Sequence, residues 1–306
     1  MTDPRHLPEA DRQRALDRYR ILDTLPDGAY DDIVRVAAAV CDAPVAVVSL
    51  IDRDRQWLKA RVGIQARETA RDVAFCDHAI RTPDRLTEVH DLREDPRFSA
   101  NPYVAGDMGA RFYAGMPLVT PEGAALGTVC VIDHAPRTLT GAQRDALEAL
   151  SRLTMALMDA GQREHDNAAA AVLSAPAPAA VAREDFTVAI LELQDHAGLV
   201  ERQGDRATQR TLDALDQAFD ACLGQAGPHH LGRVTGSAEF IAILRGTEAQ
   251  AESALQCLHA EIGRQRATGL DLRVGTARSN DPGEALPLVY LRADEALSAE
   301  KGVRGG

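Results

Sequence analysis

No stretch of about 18 strongly apolar residues runs uninterrupted through this 306-residue chain, which argues against a membrane-spanning helix. The start, Met1-Thr2-Asp3-Pro4-Arg5, is polar and has no apolar signal core, so a cytoplasmic location is expected. Lysine is nearly missing: Lys59 and Lys301 stand among many arginines, as the codon usage of a GC-rich genome would produce. Basic residues are outnumbered 34 to 46, for a net charge of −12, and the parts before and after residue 182 each carry −6. Neither part therefore suits nucleic acid or an anionic membrane surface. The five cysteines, Cys41, Cys76, Cys130, Cys222 and Cys257, form no C-x-x-C pair and no tight Cys/His spacing, which excludes a zinc site of ordinary pattern. Their odd number and scatter read as buried free thiols, each packing like a small hydrophobe.

What is present is ample apolar material, 45% of residues, in a chain whose length suggests two packed domains. Leu16, Tyr19 and Leu22 lie on one stripe of an expected helix from Glu9 to Leu22. Turn chemistry over Leu22–Gly28 ends it, and Ala29 to Val40 reads as a second helix. Val45–Ile51 suits a buried strand, and Gln56–Val62 alternates as its hairpin partner with one wet face. Further strands are expected at Leu86–Val89, Phe112–Val119 and Leu126–Ile132. Thr138 or Thr140 caps a long helix running toward Glu164. Its Leu147, Leu150, Thr154 and Leu157 take successive a and d positions of a heptad, the pattern of a two-helix seam and hence of a homodimer. Residues 161–183 contain the Ala/Pro-rich run NAAAAVLSAPAPAAVA and read as an interdomain linker, broken by Pro176 and Pro178. Beyond it come a strand at Phe186–Leu193, a helix from about Leu199 to Cys222, a hairpin of Gly232–Val234 with Glu239–Leu244, a helix at Glu248–Arg266, a strand at Leu270–Thr276 and a last helix at Leu286–Lys301. The order is β-α-β-β-α-β, a ferredoxin-like plan. The fold class expected for the whole is α/β in the α+β sense: a helix at 1–22, a first domain at 23–160 and a second at 184–306.

Seven ordered stretches over residues 20 to 160 resemble a GAF domain. They are Ile21-Leu22-Asp23-Thr24, Val48–Asp52, Asp54–Lys59, Arg71–Ile80 with its Phe75-Cys76-Asp77-His78, Asp95-Pro96-Arg97-Phe98, Arg111–Gly115 and Leu126–Asp133. The resemblance implies an antiparallel sheet with helices on one side and a ligand pocket on the other, in a module that binds small molecules or serves as a dimerising relay. Phe75, Cys76, His78, Phe112 and Tyr113 are the candidate pocket residues, with ordinary packing of the aromatics as the plain reading. Cys76 as a chromophore tether or oxidation sensor, and His78 or His90 as haem ligands, are weaker readings than a packed thiol and hydrogen-bonded histidines. Trp57 is expected to pack against a loop or a subunit contact.

Residues 185 to 304 resemble a diguanylate cyclase domain of the GGDEF family, whose signature here reads Gly236-Ser237-Ala238-Glu239-Phe240. The resemblance implies two Mg²⁺ ions held by acids at Glu192 and at Ala238. Glutamate at the first place can still ligate with a longer arm, but a methyl group at the second cannot. Val200 and Gln209 stand where the family has the asparagine and aspartate that read guanine, and an unpaired base edge costs about 1 to 3 kcal/mol. Ser237 replaces a glycine where backbone must approach phosphate and where a positive φ is expected. Gly236, Glu239 and Lys301 are remnants of nucleotide binding, Lys301 reading more simply as a surface salt bridge. The family's inhibitory Arg-x-x-Asp is replaced by Gly227-Pro228-His229-His230. Three readings follow. In the first, a GAF sensor or dimerisation module drives an inactive GGDEF-like output that acts on an unknown signalling protein, with no cofactor. In the second, a residual cyclase uses Mg²⁺ on Glu192 and Glu239. In the third, the GAF pocket makes the chain a small-molecule receptor.

Overall fold

A computed structural model describes residues 7–174, 185–224 and 229–302. The chain divides into two compact units. Unit 1 comprises Met1–Leu22 and Pro26–Gln162, and unit 2 comprises Asp23–Leu25 and Arg163–Gly306. Among the described residues no helix is long and apolar enough to cross a membrane.

Unit 1 begins with α1 (Glu9–Tyr19) and α2 (Gly28–Cys41). The Asp27 side chain accepts from the Ala29 N–H and caps α2, and Asp42 ends it with φ 49°, a left-handed residue of the kind that stops helices. The stripe Tyr30, Ile33, Val34, Ala37 and Cys41 is buried, the i, i+3, i+4 spacing of a core-facing helix. There follow β1 (Val45–Ile51), β2 (Arg55–Val62), β3 (Glu68–Ala70), α3 (Phe75–Ala79), β4 (Thr87–Val89), α4 (Pro102–Ala105), β5 (Phe112–Val119), β6 (Ala125–Asp133) and α5 (Gly141–Leu173). The six strands form one antiparallel sheet in the order β3-β2-β1-β6-β5-β4. Every residue of β1 is buried, because both faces of the sheet are covered. On one face Ala46, Val48, Leu50, Phe112, Ala114, Val129 and Val131 pack with α1, α2 and α5. On the other, Val45, Val47, Ile51, Tyr113, Cys130 and Ile132 pack with α3 and the segment through Val104.

Two expectations change here. The wet face of β2 is absent: Gln56 and Lys59 are 8% and 9% exposed. The Lys59 ammonium stands 5.1 Å from the ring centroid of Tyr30 on α2, and the Gln56 amide donates to Thr69 of β3 at 3.4 Å. Trp57 is likewise inside the unit, 7% exposed in the helix-side core. The heptad positions of α5 are not a free seam. Leu147 and Leu150 belong to the same core, and Thr154 is fully buried, its hydroxyl donating to the Leu150 carbonyl. Leu157 packs against that core from its margin. A heptad and a core-facing stripe have nearly the same period, and here the stripe serves the unit's own sheet. Of the large apolar residues on this helix, Leu153 at 57% is the one that faces outward strongly.

The helix also runs past its expected end. Thr140 accepts from the Gln143 N–H and Gln143 returns the bond to the Thr140 N–H, a capping box. From there α5 continues to Leu173 and so takes in the first half of the expected 161–183 linker. Ala168–Ala171 is a run of the best helix former. Pro176 and Pro178 lie outside the described residues.

Unit 2 contains the end of α5, then β7 (Phe186–Leu193), α6 (His196–Gln203), α7 (Asp205–Gly224), β8 (His229–Arg233), β9 (Glu239–Arg245), α8 (Glu248–Ala267), β10 (Leu272–Arg278) and α9 (Leu286–Gly302). Its antiparallel sheet has the order β10-β7-β9-β8, and its elements follow the β-α-β-β-α-β sequence. The single helix expected from Leu199 to Cys222 is two, because Gly204 adopts φ 82°, a conformation that breaks a helix and that glycine tolerates. One sheet face packs Leu191, Phe240 and Ala242 against Leu212, Phe219 and Leu258 of α7 and α8. The other packs Val188, Ile190, Ile241 and Ile243 against Val289, Ala293 and Leu297 of α9, together with Ala169 from the end of α5. Cys222 and Cys257 are joined as a disulfide between α7 and α8, with Cα atoms 5.5 Å apart. The reading of five free thiols therefore holds for Cys41, Cys76 and Cys130 and fails for this pair, whose separation of 35 residues carries no motif.

Candidate functional site

Residues 236–240, the expected signature, span the end of the turn between β8 and β9 and the start of β9. The Val234 N–H donates to the Glu239 carbonyl at 2.9 Å, and the Ser237 N–H donates to the Val234 carbonyl at 3.2 Å. Ser237 Oγ also donates to the Val234 carbonyl and accepts from the Glu239 N–H, both at 3.2 Å. The left-handed position is Gly236, with φ 80°. Ser237 thus carries no backbone strain, contrary to expectation; its hydroxyl fastens the turn.

Beside this turn lies an open cleft of about 790 Å³, and four of the positions that resemblance assigned to the nucleotide meet there, Val200 from α6, Gln209 from α7, and Gly236 and Ser237, while Glu192, Glu239 and Lys301 do not line it. Five positions spread over nearly forty residues therefore share one wall-to-wall space once Arg233 of β8, which sequence reasoning did not single out, is added. Gln209 has its amide engaged, donating to Asp213 at 2.7 Å. Arg233 donates to the same Asp213 carboxylate at 3.2 Å and stands 3.6 Å from Asp216. Burial pushes the Asp216 carboxyl up, against the pull of Arg233. Burial, then the charge of Arg233, pushes His196 down. Asp205, Asp216 and Asp220 line the cleft against a single guanidinium, an acidic balance that opposes a triphosphate.

The expected metal acids stand next to one another but are engaged elsewhere. Glu192 on β7 and Glu239 on β9 are direct register partners. Lys301 of α9 holds both Glu192 carboxylate oxygens, at 2.9 and 2.7 Å. Glu239 is 2% exposed; the Tyr290 hydroxyl donates to it at 3.4 Å, and His165 Nε2 of α5 stands 3.3 Å away. Ala238 is 6% exposed, its methyl group within the apolar core below α7 and α8. Among the described residues no group of three or more His, Cys, Asp or Glu side chains is placed to hold a metal. This donor set does not fit two Mg²⁺ ions: one acid is a methyl group, one is neutralised by an ammonium and one is buried. Of the inhibitory-site replacement, Gly227 and Pro228 lie outside the described residues, and His229 pairs with Asp220 at 3.0 Å.

In unit 1 the five pocket candidates do not form one wall. Along β5 side chains alternate, so Tyr113 faces α3 while Phe112 faces the opposite, helix-side core beside Arg137. Phe75, Cys76 and Tyr113 do meet. Phe75 packs edge-on to Phe98 at 5.3 Å and lies 5.6 Å from Tyr113, and His78 stands edge-on to Phe98 at 4.8 Å. Phe75 is 4% exposed and Tyr113 is 0%, so the space they were expected to line is filled by their own rings. Burial pushes His78 down, helped by Arg81. His90 bonds the Arg137 carbonyl and the Thr138 hydroxyl, each at 3.1 Å. Sequence reasoning also missed the polar bracing of this unit. Arg12, 2% exposed, donates to the Ile51 carbonyl at 2.7 Å and to Glu9. Arg71 ties Glu9 to Asp77 of α3, each at 2.7 Å.

The family model of the GAF domain matches residues 26–158. Over 157 residues the chain is 41% identical to a cyclic di-GMP phosphodiesterase of Pseudomonas aeruginosa; the match covers 51% of this chain and 26% of that protein, so the chain spans about a quarter of its relative's length. Among solved structures, similarity extends to the GAF domain of an Acinetobacter phosphoenolpyruvate-protein phosphotransferase, at 15% identity and TM-score 0.39, covering 51% of this chain and 95% of that one. It extends also to the PixJ GAF domain of Thermosynechococcus elongatus, at 14% identity and TM-score 0.39, covering 55% and 98%. Scores at this level carry no functional conclusion. Residues 26–158 are a GAF domain on the strength of the family model.

Proposed function

We propose that this chain is a bacterial signalling protein in which the GAF domain acts on a C-terminal unit of GGDEF ancestry that makes no cyclic di-GMP and works by contacting another signalling protein. The observation that carries the reading is the state of the acids: Lys301 takes both oxygens of Glu192, and the place beside it is the methyl of Ala238. The strand order β10-β7-β9-β8 and the meeting of Val200, Gln209, Gly236 and Ser237 around one cleft support the ancestry. The relative over the GAF region, a cyclic di-GMP phosphodiesterase, supports a place in cyclic di-GMP signalling.

With Ala238 in place of one carboxylate, Glu192 held by Lys301 and Glu239 buried, no acid among the described residues is free to hold the ion that would polarise a triphosphate and activate an attacking hydroxyl. With Val200 and an engaged Gln209, no side chain reads a guanine edge. The test is incubation of the purified chain with GTP and Mg²⁺ over a range of protein concentrations, followed by chromatography of the nucleotides. No cyclic di-GMP is expected, and accumulation of product above a protein-free control overturns the proposal. Calorimetric titration with GTP and with cyclic di-GMP is expected to show no heat of binding for either.

A further inference from the structure

The GAF domain contains a buried sulfur pair that its packing role does not require. Cys76 of α3 and Cys130 of β6 are 3% and 0% exposed and their sulfur atoms stand 3.6 Å apart. Around Cys76 the apolar core gives way to donors. The Thr128 hydroxyl donates to its sulfur at 3.1 Å and the Tyr113 hydroxyl at 3.4 Å. Ser49, the register partner of Thr128 across β1 and β6, bonds the Thr128 hydroxyl at 3.1 Å. A cysteine buried only for its volume needs apolar neighbours, and Cys41 is free without such a neighbouring thiol among the bonds described. Several donors directed at one sulfur instead suit a thiolate.

We propose that Cys76 and Cys130 form a reactive dithiol that a hydroperoxide oxidises to an intramolecular disulfide, making the GAF domain the site of a thiol modification.

Burial by itself would push the Cys76 thiol up, but hydrogen bonds from Cys130, Ser49, Thr128 and Tyr113 oppose it and hold the thiol below its ordinary value. Cys130 moves the other way, raised by its bond to Cys76 and by burial. The donors assign the roles: Cys76, which accepts from the Thr128 and Tyr113 hydroxyls, is the attacking sulfur, and Cys130 keeps its proton. In the first step the Cys76 thiolate attacks one oxygen of the hydroperoxide. The O–O bond breaks, and the products are Cys76 sulfenic acid and, once the leaving oxygen takes up the proton Cys76 gave away, an alcohol or water. In the second, Cys130 sulfur attacks Cys76 sulfur, the S–O bond breaks, and hydroxide leaves with the Cys130 proton as water. Two thiols lose two electrons and the peroxide gains them. A low-molecular-weight thiol or a dithiol reductant reverses the step by exchange. Access to the pair requires displacement of α3, a helix of five residues held through Asp77 by Arg71 and Arg81. Short elements of this kind open locally at a smaller cost than the whole fold.

The test uses the full chain, reduced and then exposed to hydrogen peroxide, with thiols afterwards alkylated under denaturing conditions and peptides read by mass spectrometry. The expected result is a cross-linked peptide joining Cys76 to Cys130, two hydrogens lighter than its parts, while Cys41 remains alkylated. In Cys130→Ser the reaction is expected to stop at the sulfenic acid of Cys76, trapped by dimedone; in Cys76→Ser, Cys130 is expected to resist peroxide. Tyr113→Phe removes one donor and is expected to slow cross-linking by about threefold to tenfold. The proposal is overturned if the cross-link fails to form in the folded chain, forms only in urea, or if Cys76 reacts no faster than Cys41. The wild-type result alone decides the matter should a variant fold poorly.

Discussion

In unit 1 the side chains expected around a pocket close on one another, Phe75 on Phe98 and Tyr113, whereas in unit 2 Val200, Gln209, Gly236 and Ser237 stand around an open cleft of about 790 Å³. The filled region keeps a chemically distinctive group in Cys76 and its donors. In the open region Gln209 and Arg233 both bond Asp213, and elsewhere in unit 2 Lys301 holds Glu192. Space and reactivity have therefore separated in this protein. An open cleft is no sign of a working site when its charged groups are already paired, and a closed core can still hold a nucleophile.

The contrast can be broken at four places. The largest effect is expected from Phe75→Ala, which opens the filled region. Removing a ring that is 4% exposed should cost about 3 to 5 kcal/mol, read by urea denaturation, and a small aromatic solute should recover part of it by occupying the cavity. A loss under 1 kcal/mol would mean that the rings do not fill the space as described. Next is Ala238→Asp, the change that would restore the metal acid. Because the methyl lies in the apolar core, the carboxylate should cost about 2 kcal/mol or more and yield no cyclic di-GMP; a stable, active variant would show the cleft to be one substitution from an enzyme.

A smaller effect concerns the buried ammonium of unit 1. Burial lowers Lys59 to about 8 from its ordinary 10.5. Below pH 8 the group is protonated in both folded and unfolded chains and its burial penalty stands in full. Between about 8 and 10.5 the unfolded chain binds more protons, so stability should rise with pH through that window. Lys59→Met should flatten the rise and stabilise the fold at neutral pH, as thermal melts across the pH series would show. The smallest effect is expected from Lys301→Ala. The Lys301 and Glu192 side chains are 18% and 23% exposed, and a pair partly open to water is worth about 1 kcal/mol or less. Calorimetry should find no Mg²⁺ binding in this variant, since the acid next to a freed Glu192 is Glu239, buried and engaged by Tyr290, and Ala238 supplies none; binding would return the metal reading to unit 2.

The parts of the fold legible in the sequence are those with strong local punctuation. Val45–Ile51 and Phe112–Val119 are bounded by turn chemistry and match β1 and β5 residue for residue. Where two structures share one local pattern, sequence gave the less economical answer. The stripe through Leu147 and Leu150 reads equally as a dimer seam or a core face, and the Ala run after Asn167 equally as linker or helix. The cleft residues could be named because a resemblance ordered them, yet Arg233 could not, since it corresponds to no motif position. Cys76 and Cys130 are 54 residues apart, and only the pairing of β1 with β6 and the placement of α3 bring them together. The Lys301–Glu192 pair, 109 residues apart, was readable as a salt bridge but not with its partner.

Helix α5 is 33 residues long, about 50 Å at 1.5 Å per residue, and it donates side chains to both cores: Leu147 and Leu150 to one, Ala169 with Val172 to the other. Val172 lies directly over Gly232 of β8, where a Cβ would meet its methyl groups. A C-terminal fragment begun at the customary place, after the apparent linker, would strip that sheet face of one of its covering segments and leave Glu239 without His165. Residues 163–173 have to travel with the second unit if that unit is to be produced alone, and a sticky or insoluble fragment lacking them would report the choice of cut rather than the nature of the domain.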